Sequence, residues 1–240
     1  MDQTYGVTPV VRRLQYWRIL GHNRQAVGDA FQVFRGRALK GEEGAYFTPP
    51  PLIDCVVSIL APDHTTSVLD PACGTGGFLA SALDCVFRAI DNTPGLSPER
   101  KANARRNWAS EKLFAVDKDA VSTKLCKAYL TLLGDGRSHI YRANAVDRRE
   151  WANRNDDLRH VVVDGRFDLV MTNPPFGKRL KVRAEIGRNE NRVTCRKWKR
   201  VDDHWEPTDE TVEQQLGVVF FERALNLLKP GGRMAIVLPE

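Results

Sequence analysis

The 240-residue sequence has no long apolar run. No window approaches the roughly 20 consecutive apolar residues that a membrane-spanning helix needs. The N-terminus also lacks the pattern of a basic stretch followed by an apolar one that marks a secretory signal. The sequence therefore predicts a soluble, cytoplasmic protein that does not engage a membrane.

Cysteine is scarce and scattered. The five cysteines show neither a C-x-x-C pair nor a Cys/His cluster with the spacing of metal ligands. We therefore expect neither a disulfide framework nor a metal site.

Excess charge of one sign is confined to one segment. The net charge is +6, yet residues 178–200 alone hold ten basic and two acidic residues, and the remainder is slightly acidic. We interpret residues 178–213 as a basic insertion, with Trp198 inside it, that suits contact with nucleic-acid phosphates and stacking on a base. The alternative is a solvated loop whose charge only aids solubility.

Short β-type runs alternate with helical patterns along most of the chain. The runs lie at 67–70, 112–117, 139–144, 167–173 and 233–239, and a helix is predicted from near Leu52. This alternation predicts a doubly wound α/β fold with a mostly parallel sheet. We assign residues 45–240 to this domain and residues 1–44 to a short helical N-terminal segment.

Polar residues close four of the predicted strands. These residues are Asp70, Asp117, Asn144 and Asn173. Because ligands of open α/β sheets bind outside the carboxyl ends of the strands, these four are candidate site residues.

A glycine-rich turn, D-P-A-C-G-T-G-G, follows the first strand and contains Gly74, Thr75, Gly76 and Gly77. It departs from the G-x-G-x-x-G pattern of dinucleotide sites. Asp70 beside it would repel a pyrophosphate and attract an ammonium group. The sequence therefore predicts S-adenosylmethionine as the cofactor, since its amino-acid end is cationic.

Other residues could complete the cofactor pocket. We expect Asp117 to accept hydrogen bonds from the ribose hydroxyls and Asn144 to bond the adenine edge. Tyr46 and Phe47 could pack on the ligand, and Thr48 precedes a helix whose N-terminus favours a carboxylate. Taken singly, Asp117 and Asn144 are more often caps or Asx turns.

Four motifs in order carry a family resemblance. Y-F-T-P, D-P-A-C-G-T-G-G-F, N-P-P-F-G and L-K-P-G-G-R resemble the modification (M) subunit of type I restriction-modification systems, which are N6-adenine DNA methyltransferases. The resemblance implies a Rossmann-like, S-adenosylmethionine-dependent enzyme that acts on double-stranded DNA. It also implies a DNA-specificity subunit as partner and leaves a restriction (nuclease) subunit open. Family members continue past the strand that ends this chain, so we expect a truncated member that is inactive alone.

The segment N-P-P-F, Asn173 to Phe176, carries the expected chemistry. An exocyclic adenine amine is a poor nucleophile because its lone pair is delocalised into the ring. If the oxygen of Asn173 and the carbonyl of Pro174 accept its two hydrogens, the lone pair can point at the methyl group. Pro174 and Pro175 would fix the backbone, and Phe176 would stack on a flipped base.

Two other functions remain open. N-P-P followed by an aromatic residue also occurs in protein-glutamine methyltransferases, and an RNA substrate is a related alternative. The third interpretation is an inactive fragment that binds nucleic acid through the basic insertion.

Overall fold

The computed structural model describes residues 48–134, 139–151, 157–177 and 179–239. The predicted N-terminal helical segment lies outside these ranges, as do Tyr46 and Phe47. No helix within them is both long and apolar enough to cross a membrane.

Helices and strands alternate through most of the described chain. The helices are α1 (Pro50–Leu60), α2 (Gly77–Asp91), α3 (Pro98–Lys112), α4 (Ala120–Leu132), α5 (Leu158–Val161), α6 (Ala184–Asn189) and α7 (Leu216–Leu227). The strands are β1 (Val68–Asp70), β2 (Leu113–Asp117), β3 (His139–Arg142), β4 (Phe167–Thr172), β5 (Lys181–Val182), β6 (Arg196–Val201), β7 (His204–Thr211), β8 (Gln214–Gln215) and β9 (Leu228–Ile236).

Five strands form one parallel sheet in the order β3-β2-β1-β4-β9. The chain moves outward from β1 to β3 and then returns to the other side of β1 at β4. This reversal places a crevice at the carboxyl ends of β1 and β4, where doubly wound sheets bind their ligands. The predicted doubly wound α/β fold is confirmed.

Helices cover both faces of the sheet, and alternate strand residues supply both cores. Val68 and Leu113 pack with α1, α2, α3 and α4, while Leu69 and Phe114 pack with α5 and α7. Successive strand residues point to opposite faces of the sheet. Because helices cover both faces, the strands are apolar at most positions rather than at every second one. The largely apolar character of the short β-type runs in the sequence follows from this arrangement.

Helix α3 was absent from the sequence prediction. Its sequence, PERKANARRNWASEK, buries only Trp108 and Ala109, so no apolar period marks it. The available signal was at its start. The Ser97 side chain accepts a hydrogen bond from the Arg100 amide, and Pro98 occupies the first turn, which is the usual chemistry of a helix N-terminus.

The last strand begins earlier than predicted, at Leu228 rather than residue 233. It leaves α7 directly, and Leu228 pairs with Phe167 before a bulge shifts the register to Leu169 and Arg233. The Pro-Gly-Gly sequence within this stretch reads as a turn, which is why the sequence placed the strand later.

The basic insertion is folded. β5 pairs antiparallel with β8, α6 follows β5, and β6 and β7 form a hairpin that projects exposed residues. Val182 and Cys195 are buried in the core on the α7 face. The described part of the insertion therefore packs on the domain rather than forming an irregular loop.

Candidate active site

A cavity of about 820 Å³ lies at the carboxyl ends of the central strands. Its volume is in the range of small-molecule and cofactor sites, about 300–1,000 Å³. The cavity is lined by ten of the residues predicted from the sequence: Thr48, Asp70, Gly74, Thr75, Gly77, Asp117, Asn144, Asn173, Pro174 and Pro175. The structure thus brings the glycine loop and the N-P-P segment to one cavity.

Asp70 ends β1 and is almost fully buried at 1% exposure. The pKa of Asp70 is raised to about 7, mainly because of its burial; the Thr172 side chain and the Ala72 amide oppose the rise, and the charge of Asp117 adds to it. A buried carboxylate is costly without a cationic partner. Asp70 is therefore suited to a ligand that brings a positive charge into the cavity.

The glycine loop turns through left-handed backbone conformations at Gly74 and Gly76, with φ of 51° and 87°. A Cβ at Gly76 would stand 2.7 Å from the Cys126 sulfur on α4, whereas one at Gly74 would meet nothing within 4 Å. Gly76 is not among the described residues that line the cavity. Its lack of a side chain instead allows the loop to pack closely against α4. Gly74 keeps the loop open on the cavity side.

Asp117 joins the loops that follow β1 and β2. Its Oδ2 accepts a hydrogen bond from the Gly74 amide at 2.8 Å, and its Oδ1 accepts one from the Asp119 amide at 2.8 Å. Each carboxylate oxygen can accept more than one hydrogen bond, so these contacts are compatible with a ligand hydroxyl. The residue therefore holds the glycine loop in place and also faces the cavity.

Asn144 follows β3 and forms an Asx turn. Its Oδ1 accepts a hydrogen bond from the Val146 amide at 3.2 Å, and its backbone carbonyl accepts one from the Trp151 indole at 3.0 Å. Asn144 therefore forms an Asx turn, which is the commoner role of Asn at the end of a strand. The residue also lines the cavity, which keeps the predicted contact with an adenine edge open.

Asn173 follows β4 and contacts the chain just before α1. Its Nδ2 donates a hydrogen bond to the Thr48 hydroxyl at 2.8 Å. The sequence assigned Thr48 to the cofactor and gave no sign of this contact, because the two residues are 125 positions apart. The contact restricts rotation of the Asn173 amide at the cavity wall.

The aromatic residue of N-P-P-F lies apart from the cavity wall. Phe176 is half-buried and is not among the described residues that line the cavity, whereas Pro174 and Pro175 are. Arg179, Lys181 and Arg183 line the cavity a few residues later. Sequence reasoning placed these cations in the basic insertion without distinguishing them from its other charges.

The N-6 DNA Methylase family model matches residues 22–240. The chain belongs to that family. The type I restriction enzyme EcoEI methylase subunit of Escherichia coli is 27% identical over 221 residues, covering 90% of this chain and 37% of the relative. The StySPI methylase subunit of Salmonella potsdam is 27% identical over 223 residues, 92% of this chain and 36% of the relative.

A solved structure supports the family's fold in this chain. A modification subunit of a putative type I restriction enzyme from Vibrio vulnificus YJ016 matches with a TM-score of 0.61 and 22% identity, over 90% of this chain and 40% of that one. The predicted resemblance to type I modification subunits is confirmed. The chain spans a little more than a third of the length of the curated relatives.

Proposed function

We propose that the chain carries the catalytic site of an N6-adenine DNA methyltransferase subunit of a type I restriction-modification system. This proposal rests mainly on the observation that Asn173 and Pro174 line the same cavity as Asp70 and the glycine loop. Family membership and the methylase relatives support the same activity. Double-stranded DNA is the proposed substrate.

The donor set of the cavity suits S-adenosylmethionine. The ammonium group would lie against the buried Asp70, the ribose hydroxyls against Asp117, and the adenine edge near Asn144. The positive φ and open side of Gly74 allow a ligand to approach the backbone closely. When bound, the cofactor supplies an activated methyl group.

The chain's own residues would orient the target amine. Asn173 Oδ1 and the Pro174 carbonyl would accept the two amine hydrogens and draw the nitrogen towards tetrahedral geometry. The hydrogen bond to Thr48 restrains Asn173, and the proline ring restrains the carbonyl. No base is needed before transfer, because the nitrogen loses a proton only after it becomes cationic.

A flipped target base would enter this cavity, with Phe176 available to stack on it. In that case Phe176 would have to approach the cavity from its present half-buried position. We further propose a DNA-specificity subunit as a partner, since the relatives are methylase subunits of type I restriction enzymes. A nuclease subunit is the further candidate partner.

Methyl transfer from S-adenosylmethionine labelled on its methyl group tests the function. DNA, RNA and protein are offered as acceptors, with and without a type I specificity subunit, and the methylated product is identified by mass spectrometry. We expect N6-methyladenine in DNA. Label in glutamine side chains or RNA alone would support the alternative substrates, and cofactor-independent DNA binding without transfer would indicate a non-catalytic fragment.

A further inference from the structure

The cations of the basic insertion do not form one surface. In the hairpin, Lys197 lies 3.0 Å from Glu210 and Arg200 lies 3.3 Å from Asp203. Arg192 is buried at 2% exposure, close to an acidic side chain of the same segment. The two hairpin pairs are exposed and therefore weak, but none of the cations of β6 is among the described residues that line the cavity.

Three other cations lie together at the cavity. Arg179, Lys181 and Arg183 are exposed, line the cavity and begin four residues after Pro175. We call these three residues the cationic rim. The two intervening residues also line the cavity, but Leu180 is half-buried and Val182 is buried.

The rim is held on the domain by the burial of Val182 and by backbone hydrogen bonds. Val182 is buried at 3% exposure, and Lys181 pairs with Gln215 in the two-stranded sheet. The Leu216 amide at the start of α7 donates to the Leu180 carbonyl at 3.0 Å. The backbone that carries the three charges is therefore ordered before any ligand binds.

Ion pairs connect the helix that follows the rim, α6, to the segment after β3. Glu190, at the end of α6, accepts hydrogen bonds from the Arg148 amide at 2.8 Å and from its guanidinium at 2.6 Å. Glu185 accepts one from Arg149 at 2.8 Å. These contacts tie α6 to the segment after β3, so the rim has fixed supports on both sides.

The acidic neighbours of the rim leave its charge available. Lys181 lies 3.5 Å from Glu213, but both side chains are more than half exposed, so the pair is weak and exchangeable. The charge of Arg183 helps to lower the pKa of Asp147, but the Asp147 carboxylate is already hydrogen-bonded to the Arg149 guanidinium. A phosphate could therefore replace these partners at little cost.

We propose that the cationic rim is the phosphate-contact line for the DNA strand that carries the target adenine, while the hairpin cations are not. At about 3.3 Å per residue the three charges span up to about 13 Å, a length of helix axis over which one DNA strand presents about four phosphates. The rim lines the same cavity as Asn173 and Pro174, so a strand bound along it would pass the cavity that a flipped base must enter. This inference rests on the proposed function.

The test is the salt dependence of DNA binding by the 240-residue chain. Binding of a fluorescein-labelled, mixed-sequence duplex is measured by anisotropy for the unaltered chain and for Arg179→Gln/Lys181→Gln/Arg183→Gln. Each lost phosphate contact lowers the slope of log affinity against log salt by about 0.9, so we expect the slope to decrease in magnitude by about 2.7. All three side chains are exposed, and thermal unfolding should be nearly unchanged.

A matched triple variant of the hairpin, Lys197→Gln/Lys199→Gln/Arg200→Gln, removes the same formal charge. We expect its slope to change by less than about one unit. Equal slopes for the two triple variants, a larger effect in the hairpin, or no DNA binding by the unaltered chain at low ionic strength would each overturn the proposal. Cofactor titration and methyl transfer, measured on the same proteins, separate this outcome from failure of the proposed function.

Discussion

The side-chain amide of Asn173 donates a hydrogen bond to the hydroxyl of Thr48 at 2.8 Å, across 125 positions of sequence. Thr48 precedes α1 and Asn173 follows β4, so the contact joins the T-P motif to the N-P-P motif. The Asn173 side-chain oxygen is proposed to accept a hydrogen bond from the target amine. Thr48, which the sequence assigned to the cofactor site, thus also positions the Asn173 side chain that is proposed to bind the target base.

Thr48→Val removes the hydroxyl with little change in volume. We expect the turnover of a full-length assembly to fall about fivefold, the equivalent of one hydrogen bond of about 1 kcal/mol, while affinity for S-adenosylmethionine changes little. Thr48→Ser keeps the hydroxyl and should restore turnover. Steady-state kinetics with varied cofactor give both quantities. A loss confined to cofactor affinity would instead assign Thr48 to the methionine carboxylate.

In a full-length assembly, Asn173→Ala should abolish methyl transfer and leave cofactor binding nearly intact. The side chain is proposed to act on the target amine, and the cofactor-facing residues are on other strands. Calorimetric titration with S-adenosylmethionine is the control, and methyl incorporation into adenine-containing DNA is the readout. Substantial retained turnover would show that N-P-P-F has a structural role in this chain.

Gly76→Ala should lower the free energy of unfolding by about 1–3 kcal/mol, because φ is 87° and the added Cβ would meet the Cys126 sulfur at 2.7 Å. Gly74→Ala is the matched control, since φ is also positive but no atom lies within 4 Å. Denaturant unfolding of both variants isolates the contact with Cys126. If a Cys126→Ala background recovers none of the loss, the close approach is not its cause.

The sequence predicted the parallel sheet and its ligand edge because buried parallel strands are short, apolar and closed by polar residues. β1, β2 and β4 end within one residue of the positions expected from Asp70, Asp117 and Asn173. The signal is local in each case. Placement of these ends at one crevice then follows from the topology of a doubly wound sheet.

The remaining features depend on tertiary contacts that no local pattern encodes. Helix α3 has almost no apolar face, so its two buried residues, Trp108 and Ala109, leave no period to detect. The contact of Thr48 with Asn173 depends on where the chain before α1 lies relative to the end of β4. Counting charges along residues 178–200 likewise could not separate the cations that line the cavity from the hairpin cations, which do not.

Asp70→Asn tests the cofactor site through its dependence on pH. At about pH 8 the carboxylate is charged, and its loss should weaken S-adenosylmethionine binding by on the order of 1.5–3 kcal/mol. The pKa of Asp70 is raised to about 7 in the absence of ligand. Affinity of the unaltered chain should therefore fall as pH decreases below about 7, while Asp70→Asn stays flat. Calorimetric titration across this pH range gives both affinity profiles. Parallel profiles for the unaltered chain and Asp70→Asn would show that Asp70 does not bind the cofactor.

The same substitution should stabilise the ligand-free protein at neutral and alkaline pH. The folded-state pKa of Asp70, about 7, lies above its ordinary value of 3.8, so the folded state binds a proton more tightly than the unfolded chain. The resulting stability is fully present below about pH 3.8 and is lost as pH rises through about 7. Asn keeps an acceptor for the Ala72 amide but never acquires the buried charge. The melting temperature of Asp70→Asn relative to the unaltered chain should thus increase from about pH 4 to about pH 7 and stay constant above it. Other carboxyl groups titrate equally in both proteins, so a difference that is the same at about pH 5 and about pH 8 would show that Asp70 does not carry a buried charge.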